Sequence, residues 1–367
     1  MSAKNFLILL VATVLSIVAA AAAVVTRPGD AVYANLGDPV VPGLIDNLND
    51  VDTVRIESHE GGALTFKRMA KGDGTQTADA KEDAKQAGGW GIVERDMYPA
   101  KASQVNALAL RVAELTYLAP KTTTPELFPR LELGDPDAVG SKSVSLRLNA
   151  KGGRPMVDMV IGKARSTLEG SAEGGTYFRI PGKEQAWLAK GSVEIGKLIS
   201  EWIETDIFDI QTKRIRRVEI HHADGEKISI FKEQQSDADF VLNGVPDGKK
   251  VKSRFSVNGI ASAIDDYKIM DVARREKHPI DPAVATRAVY ETFDGLTVTA
   301  LIELPQGDPK GPQAEYWVAL DIAGGEGTAE ADGLRARTAP WVFRISDYRY
   351  DAIAKRMKDL VEDAAGS

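Results

Sequence analysis

Val51–Arg68 reads VDTVRIESHEGGALTFKR, and Ile215–Lys232 reads IRRVEIHHADGEKISIFK. Both stretches alternate apolar and polar residues, the period of a strand with one buried face. In the first, Val54 and Ile56 share a face, as do Leu64 and Phe66; in the second, Val218 and Ile220 pair off, then Ile228 and Ile230. Glu60-Gly61-Gly62 and Ala223-Asp224-Gly225 separate the runs, and such residues between alternating segments mark a β-hairpin. The chain therefore spells one hairpin twice.

What surrounds each hairpin also corresponds. A polar, Gly-rich loop over Lys71–Gly89 leads to Trp90-Gly91-Ile92-Val93; in the second half the short strand is Asp239-Phe240-Val241-Leu242. Helical spacing then predicts a helix over Ser103–Leu118, with Val105, Leu108, Val112 and Leu115 on one stripe. Its counterpart is Ser256–Ile269, with Val257, Ile260, Ala261 and Ile264. Strands follow at Ser143–Leu148, Met156–Ile161, Tyr177–Ile180 and Ala186–Ala189, answered by Ala288–Phe293, Leu296–Glu303, Tyr316–Ile322 and Trp341–Ile345. Each half is expected to close with a helix. Ile195, Leu198, Ile199 and Trp202 carry the first, and Tyr350, Ile353, Ala354, Met357 and Leu360 the second, with Ser192 and Ser346 as N-caps.

The fold class expected is α+β, built as two tandem, duplicated modules, each a mostly antiparallel sheet with two packed helices. Module 1 is placed at 45–205 and module 2 at 215–362, joined by a connector at 206–214, with a linker at 29–44 and a tail at 363–367. The joint, Glu204–Arg217 (ETDIFDIQTKRIRR), lacks Pro and Gly and reads as short and stiff.

Residues 1–28 stand apart from this pattern. Lys4 precedes FLILLVATVLSIVAAAAAVV at 6–25, and Arg27-Pro28 ends the run. At ~1.5 Å per residue a helix of this length reaches ~30 Å, one bilayer core. Ala19-Ala20-Ala21 offers a small-x-small cleavage site, yet the run exceeds the ~7–15 apolar residues of a secretory signal and suits a retained anchor better. Orientation follows Lys4: amino terminus cytoplasmic, bulk of the chain periplasmic, one crossing of a bacterial inner membrane.

Composition narrows the class. The chain has 367 residues, 27% charged and 43% hydrophobic, as a folded globular protein has. A net charge of −7 offers no general field for nucleic acid, so no nucleic-acid partner is expected. With no Cys there is no disulfide, no thiolate and no N-terminal lipidation site.

The chemically suggestive groups are weak. His221-His222 are adjacent on a strand and point to opposite faces, so they do not share a metal; one exposed and one half-buried imidazole is expected. His59 and His278 have no acidic or histidine neighbour at ligand spacing. Gly134–Ser143 mimics a phosphate loop, but Ser141 stands where Lys is required. Glu201, Glu204, Asp206 and Asp209 precede Lys213, Arg214, Arg216 and Arg217, and are read as a solvated seam whose charges pair with each other. Trp90, Trp187, Trp202, Trp317 and Trp341 are read as core, and Gly72–Gly89 as a long polar loop. No catalytic, cofactor-binding or metal residue is assigned.

One resemblance carries context. The membrane-crossing segment, the alternating opening that ends in Trp90-Gly91-Ile92, and the amphipathic helix come first. Then come Phe128-Pro-Arg-Leu-Glu-Leu-Gly-Asp-Pro-Asp137, Ile161-Gly162, Thr176-Tyr177-Phe178-Arg179 and Ala186-Trp187-Leu188. Together these resemble the bacterial family catalogued as domain of unknown function 4340. Where that family's element usually has Tyr-Gly-Leu, this chain has Leu131-Glu132-Leu133-Gly134. The resemblance implies an extracytoplasmic protein encoded beside gliding-motility-type ABC transporter components. The function expected is a non-enzymatic, membrane-anchored periplasmic accessory protein with an inner-membrane partner, ABC transporter subunits being the candidates. The alternative is a periplasmic ligand- or polymer-binding protein with its site between the modules.

Overall fold

A computed structural model describes residues 35–69, 89–168, 174–303, 305, 314–324 and 328–364, together with Thr13 and Ser16. Apart from Thr13 and Ser16, the apolar run at 6–25 lies outside the described residues, as does most of the loop at 72–89. No helix among the described residues is long and apolar enough to cross a membrane.

The first sheet is built from β1 (Val51–Ser58), β2 (Gly62–Arg68), β3 (Trp90–Ile92), β4 (Tyr98–Ala100), β5 (Thr116–Pro120), β6 (Val144–Ala150), β7 (Pro155–Arg165), β8 (Gly175–Arg179) and β9 (Ala186–Lys190). Helix α1 (Ala102–Ala113) joins β4 to β5. A short strand, β10 (Asp206–Phe208), leads to the second sheet. There follow β11 (Ile215–His221), β12 (Lys227–Phe231), β13 (Val241–Leu242), β14 (Lys249–Val251), α2 (Arg254–Ala261), β15 (Tyr267–Lys268) and β16 (Asp271–Arg274). The chain ends with β17 (Thr286–Thr292), β18 (Thr297–Ile302), β19 (Tyr316–Ala323), α3 (Ala329–Thr338), β20 (Trp341–Ile345), α4 (Asp347–Ile353), α5 (Met357–Leu360) and β21 (Val361–Asp363).

Strand order in the first sheet is β4-β3-β2-β1-β6-β7-β8-β9-β5; in the second it is β13-β12-β11-β17-β18-β19-β20-β16. Every ladder is antiparallel. Place for place the two orders agree, apart from the extra edge strand β4. The fold is therefore α+β with antiparallel sheets.

The agreement reaches individual residues. The β1–β6 ladder slips between Val51 and Thr53, and the β11–β17 ladder between Ile215 and Arg217. Each bulge lies just ahead of the buried valine, Val54 or Val218, that starts the apolar face. At the third strand, Arg68 lies 4.6 Å over the Trp90 ring, whose indole N–H donates to Asn106 Oδ1 at 2.9 Å. In the second sheet Lys232 lies 4.7 Å over Phe240, whose backbone N–H donates to Asn258 Oδ1, also at 2.9 Å. Before each closing turn a carboxylate takes the N–H three residues earlier: Glu201 from Leu198 at 2.8 Å and Asp359 from Arg356 at 3.1 Å.

The helices cover one face of the sheets. Val105, Leu108 and Val112 of α1, and Val257, Ile260 and Ala261 of α2, are buried in one continuous core with Val54, Phe66, Val218 and Ile230. The other face is covered only in part. In the first sheet Phe128, from the turn at Pro125–Leu131, and Leu133 just beyond it pack on Val160 and Ala186; in the second, Ala285 packs on Leu301, Ala319 and Val342.

Several expectations are corrected. The helix expected at Ser103–Leu118 stops at Ala113, and Thr116–Pro120 is a strand: β-branched and aromatic residues followed by Pro suit the sheet edge better than another helical turn. The helix expected at Ser256–Ile269 starts at Arg254 with Ser253 as its cap, and gives way to a 3-10 turn and β15. No α-helix forms over Ile195–Trp202. Only Ile199–Glu201 makes a 3-10 turn, Ser192 caps nothing, and the Trp202 indole instead donates to the Gly196 carbonyl at 2.9 Å. The final helix breaks after Ile353 into α4 and α5, although Ser346 caps α4 as expected. Helix α3 was not foreseen, since only Ala331, Leu334 and Thr338 face inward. Among the described residues the first sheet thus carries one α-helix, not two. Residues 35–44, expected as linker, are packed on the first sheet: Val40 and Leu44 are buried, and the Val40 N–H donates to the Leu115 carbonyl.

The two sheets part company at one place. β4 pairs with β3, whereas β14, which likewise precedes a helix, pairs with β21 and not with β13. The turn from β3 into β4 passes close over Gly91, where a Cβ would stand 2.7 Å from Met97 Cε and 3.0 Å from its carbonyl oxygen. The equivalent residue in β13 is Val241. A branched side chain forbids that tight return, and the chain leaves β13 through Gly244 and Gly248, both at positive φ. Gly91→Val should therefore detach β4, costing about 1–3 kcal/mol by overpacking. Loss of hydrogen-exchange protection at the Met97 amide, which donates to the Ile92 carbonyl, would report it.

Candidate functional site at the seam between the sheets

The turn after β3 faces the edge strand β16 of the second sheet. Asp96 and Met97 both adopt left-handed φ, 52° and 62°, a conformation that costs each non-Gly residue about 1–2 kcal/mol. The turn aims two charges across the seam. Arg95 makes a bidentate pair with Asp271, Nε to Oδ1 at 2.7 Å and Nη2 to Oδ2 at 2.9 Å, and Asp96 pairs with Lys277. The Asp271 side chain is only 11% exposed, and its Oδ1 also accepts the Val272 N–H. The hydrogen bond that Arg95 donates to Asp271 raises the Arg95 pKa against the opposing effect of burial. Beneath the ions, Tyr98 meets the Trp341 ring edge-on at 4.9 Å, and Arg274 lies 4.0 Å over Trp341.

From this seam a row of polar side chains runs out over each sheet. On the first, Glu94 Oε2 accepts the Thr65 N–H, Arg55 bonds Thr65 and Glu57, and Arg147 pairs with Asp158. On the second, Arg344 stands between Asp271 and Trp317 in register and pairs with Glu315 at 3.1 Å. The Trp317 indole donates to Glu315, His278 packs on Trp317 at 4.6 Å, and His278 Nε2 lies 2.8 Å from Glu303. The result is a partly exposed polar face, charged with both signs, that crosses the seam.

The residues singled out in the sequence fall elsewhere. His222 is buried, with Nδ1 3.3 Å from Thr286 Oγ1 and Nε2 3.0 Å from the Lys355 carbonyl, while His221 stays partly exposed beside Glu219. His278, read as partnerless, has Glu303, supplied from beyond β18. The Gly134–Ser143 loop closes on itself: Ser143 Oγ donates to the Gly134 carbonyl, and Arg179 donates to Leu133 and Gly134. The acidic and basic clusters do not pair with each other. Arg214 binds Asp294 and Glu330, which raises its pKa; Arg217 meets Glu219, and Asp206 meets Lys268. Trp90, Trp202 and Trp341 are buried, whereas Trp187 and Trp317 are partly buried. Among the described residues no group of three or more His, Asp and Glu is placed to hold a metal ion. An open pocket of about 330 Å³ lies over β10, between Asp209, Asp266, Glu330 and Arg337.

The seam itself escaped the sequence reading. Arg95 and Asp271 are 176 positions apart, and no local pattern links them.

Two outcomes test the seam. Asp271→Asn should lower stability by about 1–3 kcal/mol, the worth of a charge-assisted pair, in chemical denaturation. The second test is alkaline. Burial pushes the Tyr98 hydroxyl up to about 12 from its ordinary 10.0, opposed by Arg337 and aided by Glu204. A group whose pKa rises on folding contributes stability that is complete below its unfolded value and is lost as pH climbs through the folded one. Stability should therefore decline from pH 10 toward pH 12, and less steeply in Tyr98→Phe.

No curated protein and no solved structure matches the chain. A family model described as "Domain of unknown function (DUF4340)" matches residues 90–313, more than half of the chain, from β3 across the seam to beyond β18. The protein with these two like-ordered sheets and the ion-paired seam between them belongs to the DUF4340 family.

Proposed function

We propose that this protein is a non-enzymatic accessory of an extracytoplasmic membrane system, working through contacts with another protein. In this reading residues 6–25 anchor it in a bacterial inner membrane, and the folded part stands outside the cytoplasm beside an ABC-type transport or envelope complex. The two sheets are tandem copies of one ancestral module, which accounts for the common strand order, the matched bulges and the matched cation–ring–Asn contacts.

The observation that carries the reading is the polar face that crosses the seam. A wide surface with interleaved charges suits recognition of a partner protein, where charge complementarity sets orientation and specificity. The alternative, a ligand held between the modules, needs a cleft at the seam. The packing of Tyr98 on Trp341 and the Arg95–Asp271 pair at the seam favours the partner-protein reading, whereas the open pocket over β10 is where such a ligand would be sought.

Crosslinking followed by purification from native membranes tests the proposal. The expected outcome is recovery with inner-membrane transporter subunits, reduced when charges of the polar face such as Arg55 and Glu315 are reversed. Recovery of the protein alone would sink the reading.

A further inference from the structure

Among the described residues the outer edge of β13 is an unfilled strand position, and the first sheet supplies the comparison. There, β3 is flanked on its outer side by β4, with Ile92 opposite Tyr98, Gly91 opposite Pro99 and Trp90 opposite Ala100. In the second sheet, among the described residues, β13 is paired only with β12, with Leu242 opposite Ile230 and Val241 opposite Phe231. The Asn243 N–H donates inward to Ser229, so the N–H and C=O of Leu242, one residue earlier, point away from β12. Among the described residues no backbone group bonds to them. The edge is bounded at one end, where Asn258 takes the Phe240 N–H. Its exposed face carries Val241, 54% accessible.

The opening has a physical cause. Val241 replaces the glycine over which the first sheet makes its tight return, and the segment that would fill the place is committed elsewhere: β14 is paired to β21 through Lys249–Asp363, Lys250–Glu362 and Val251–Val361. What Val241 excludes is a tight turn of the same chain. It does not exclude an extended strand arriving from another molecule, which needs no turn there.

We propose that the outer edge of β13 accepts an extended segment of a partner polypeptide by strand addition, in the place β4 occupies on β3. The segment runs antiparallel to β13, bonds the N–H and C=O of Leu242, and sets an aromatic or apolar residue opposite Leu242, as Tyr98 stands opposite Ile92. This names a contact point for the partner-protein reading and rests on it. Its test needs no transporter, so the two can fail separately.

A synthetic peptide spanning residues 96–103, which carries the β4 strand, serves as the probe, and residue-resolved hydrogen exchange on the full chain is the readout. The Leu242 amide should exchange freely in the protein alone and slow by about tenfold or more with millimolar peptide, with the slowing confined to β13 and its neighbours. A scrambled peptide of the same composition should leave it unchanged. The proposal is overturned if the Leu242 amide is already protected without peptide, since the chain then covers its own edge. It is equally overturned if millimolar peptide produces no slowing, slowing only elsewhere, or slowing matched by the scrambled control.

Discussion

The constraint on which the structure depends is that the chain must cross the whole apolar face of each sheet to complete it. β4 lies at one edge of the first sheet and β5, the next strand, at the other. The connection has to pass over every strand between, and a helix is the economical way to do so while satisfying its own backbone. α1 therefore lies on the apolar face, with Val105, Leu108 and Val112 buried against it. The second sheet repeats the problem between β13 and β16, and α2 answers it with Val257 and Ile260. The return chains, 121–143 and 275–285, then cover parts of the opposite faces and leave the remainder polar and open.

Much of this was legible in the chain because strand pairing in a hairpin is local. The alternation of Val54, Ile56, Leu64 and Phe66 set both the strands and their inward face, and the register observed is the one it implies. What failed was the separation of apolar spacing from its cause. Leu115 continues the stripe of α1 and is fully buried, yet it belongs to the entry into β5. Ile195, Ile199 and Trp202 fit a helical period, but Gly191 at φ 109 and the indole bond to Gly196 hold that segment irregular. α3 was missed for the opposite reason: its inward residues are mostly small, and a short helix with so little apolar material carries no pattern to find.

The seam could not be read at all. Its ion pairs join residues more than 170 positions apart, and each partner taken alone is an ordinary surface charge. Only the topology, which sets the β3–β4 turn against β16, makes Asp271 a nearly buried carboxylate with a bidentate guanidinium. Polar contact surfaces of this sort lack the fixed spacing of catalytic motifs. A sequence that declares its fold through alternation can therefore remain silent about which charges meet where its sheets adjoin.

The strand order also sets a timetable. β16 has a single sheet neighbour, β20, and β20 follows it only after β17, β18, β19 and α3. As the chain leaves the ribosome, the first sheet has all nine strands once β9 is made, well before the second hairpin exists. β16 must wait, unpaired, for Trp341–Ile345, and β14 waits for the last strand of all. Such long-range closure is entropically slow. The carboxylate that joins the halves is thus among the last groups to reach its place, and a chain truncated before β20 would carry a finished first half tied to an unfinished second through β10 and β15, with β16 left without its sheet neighbour.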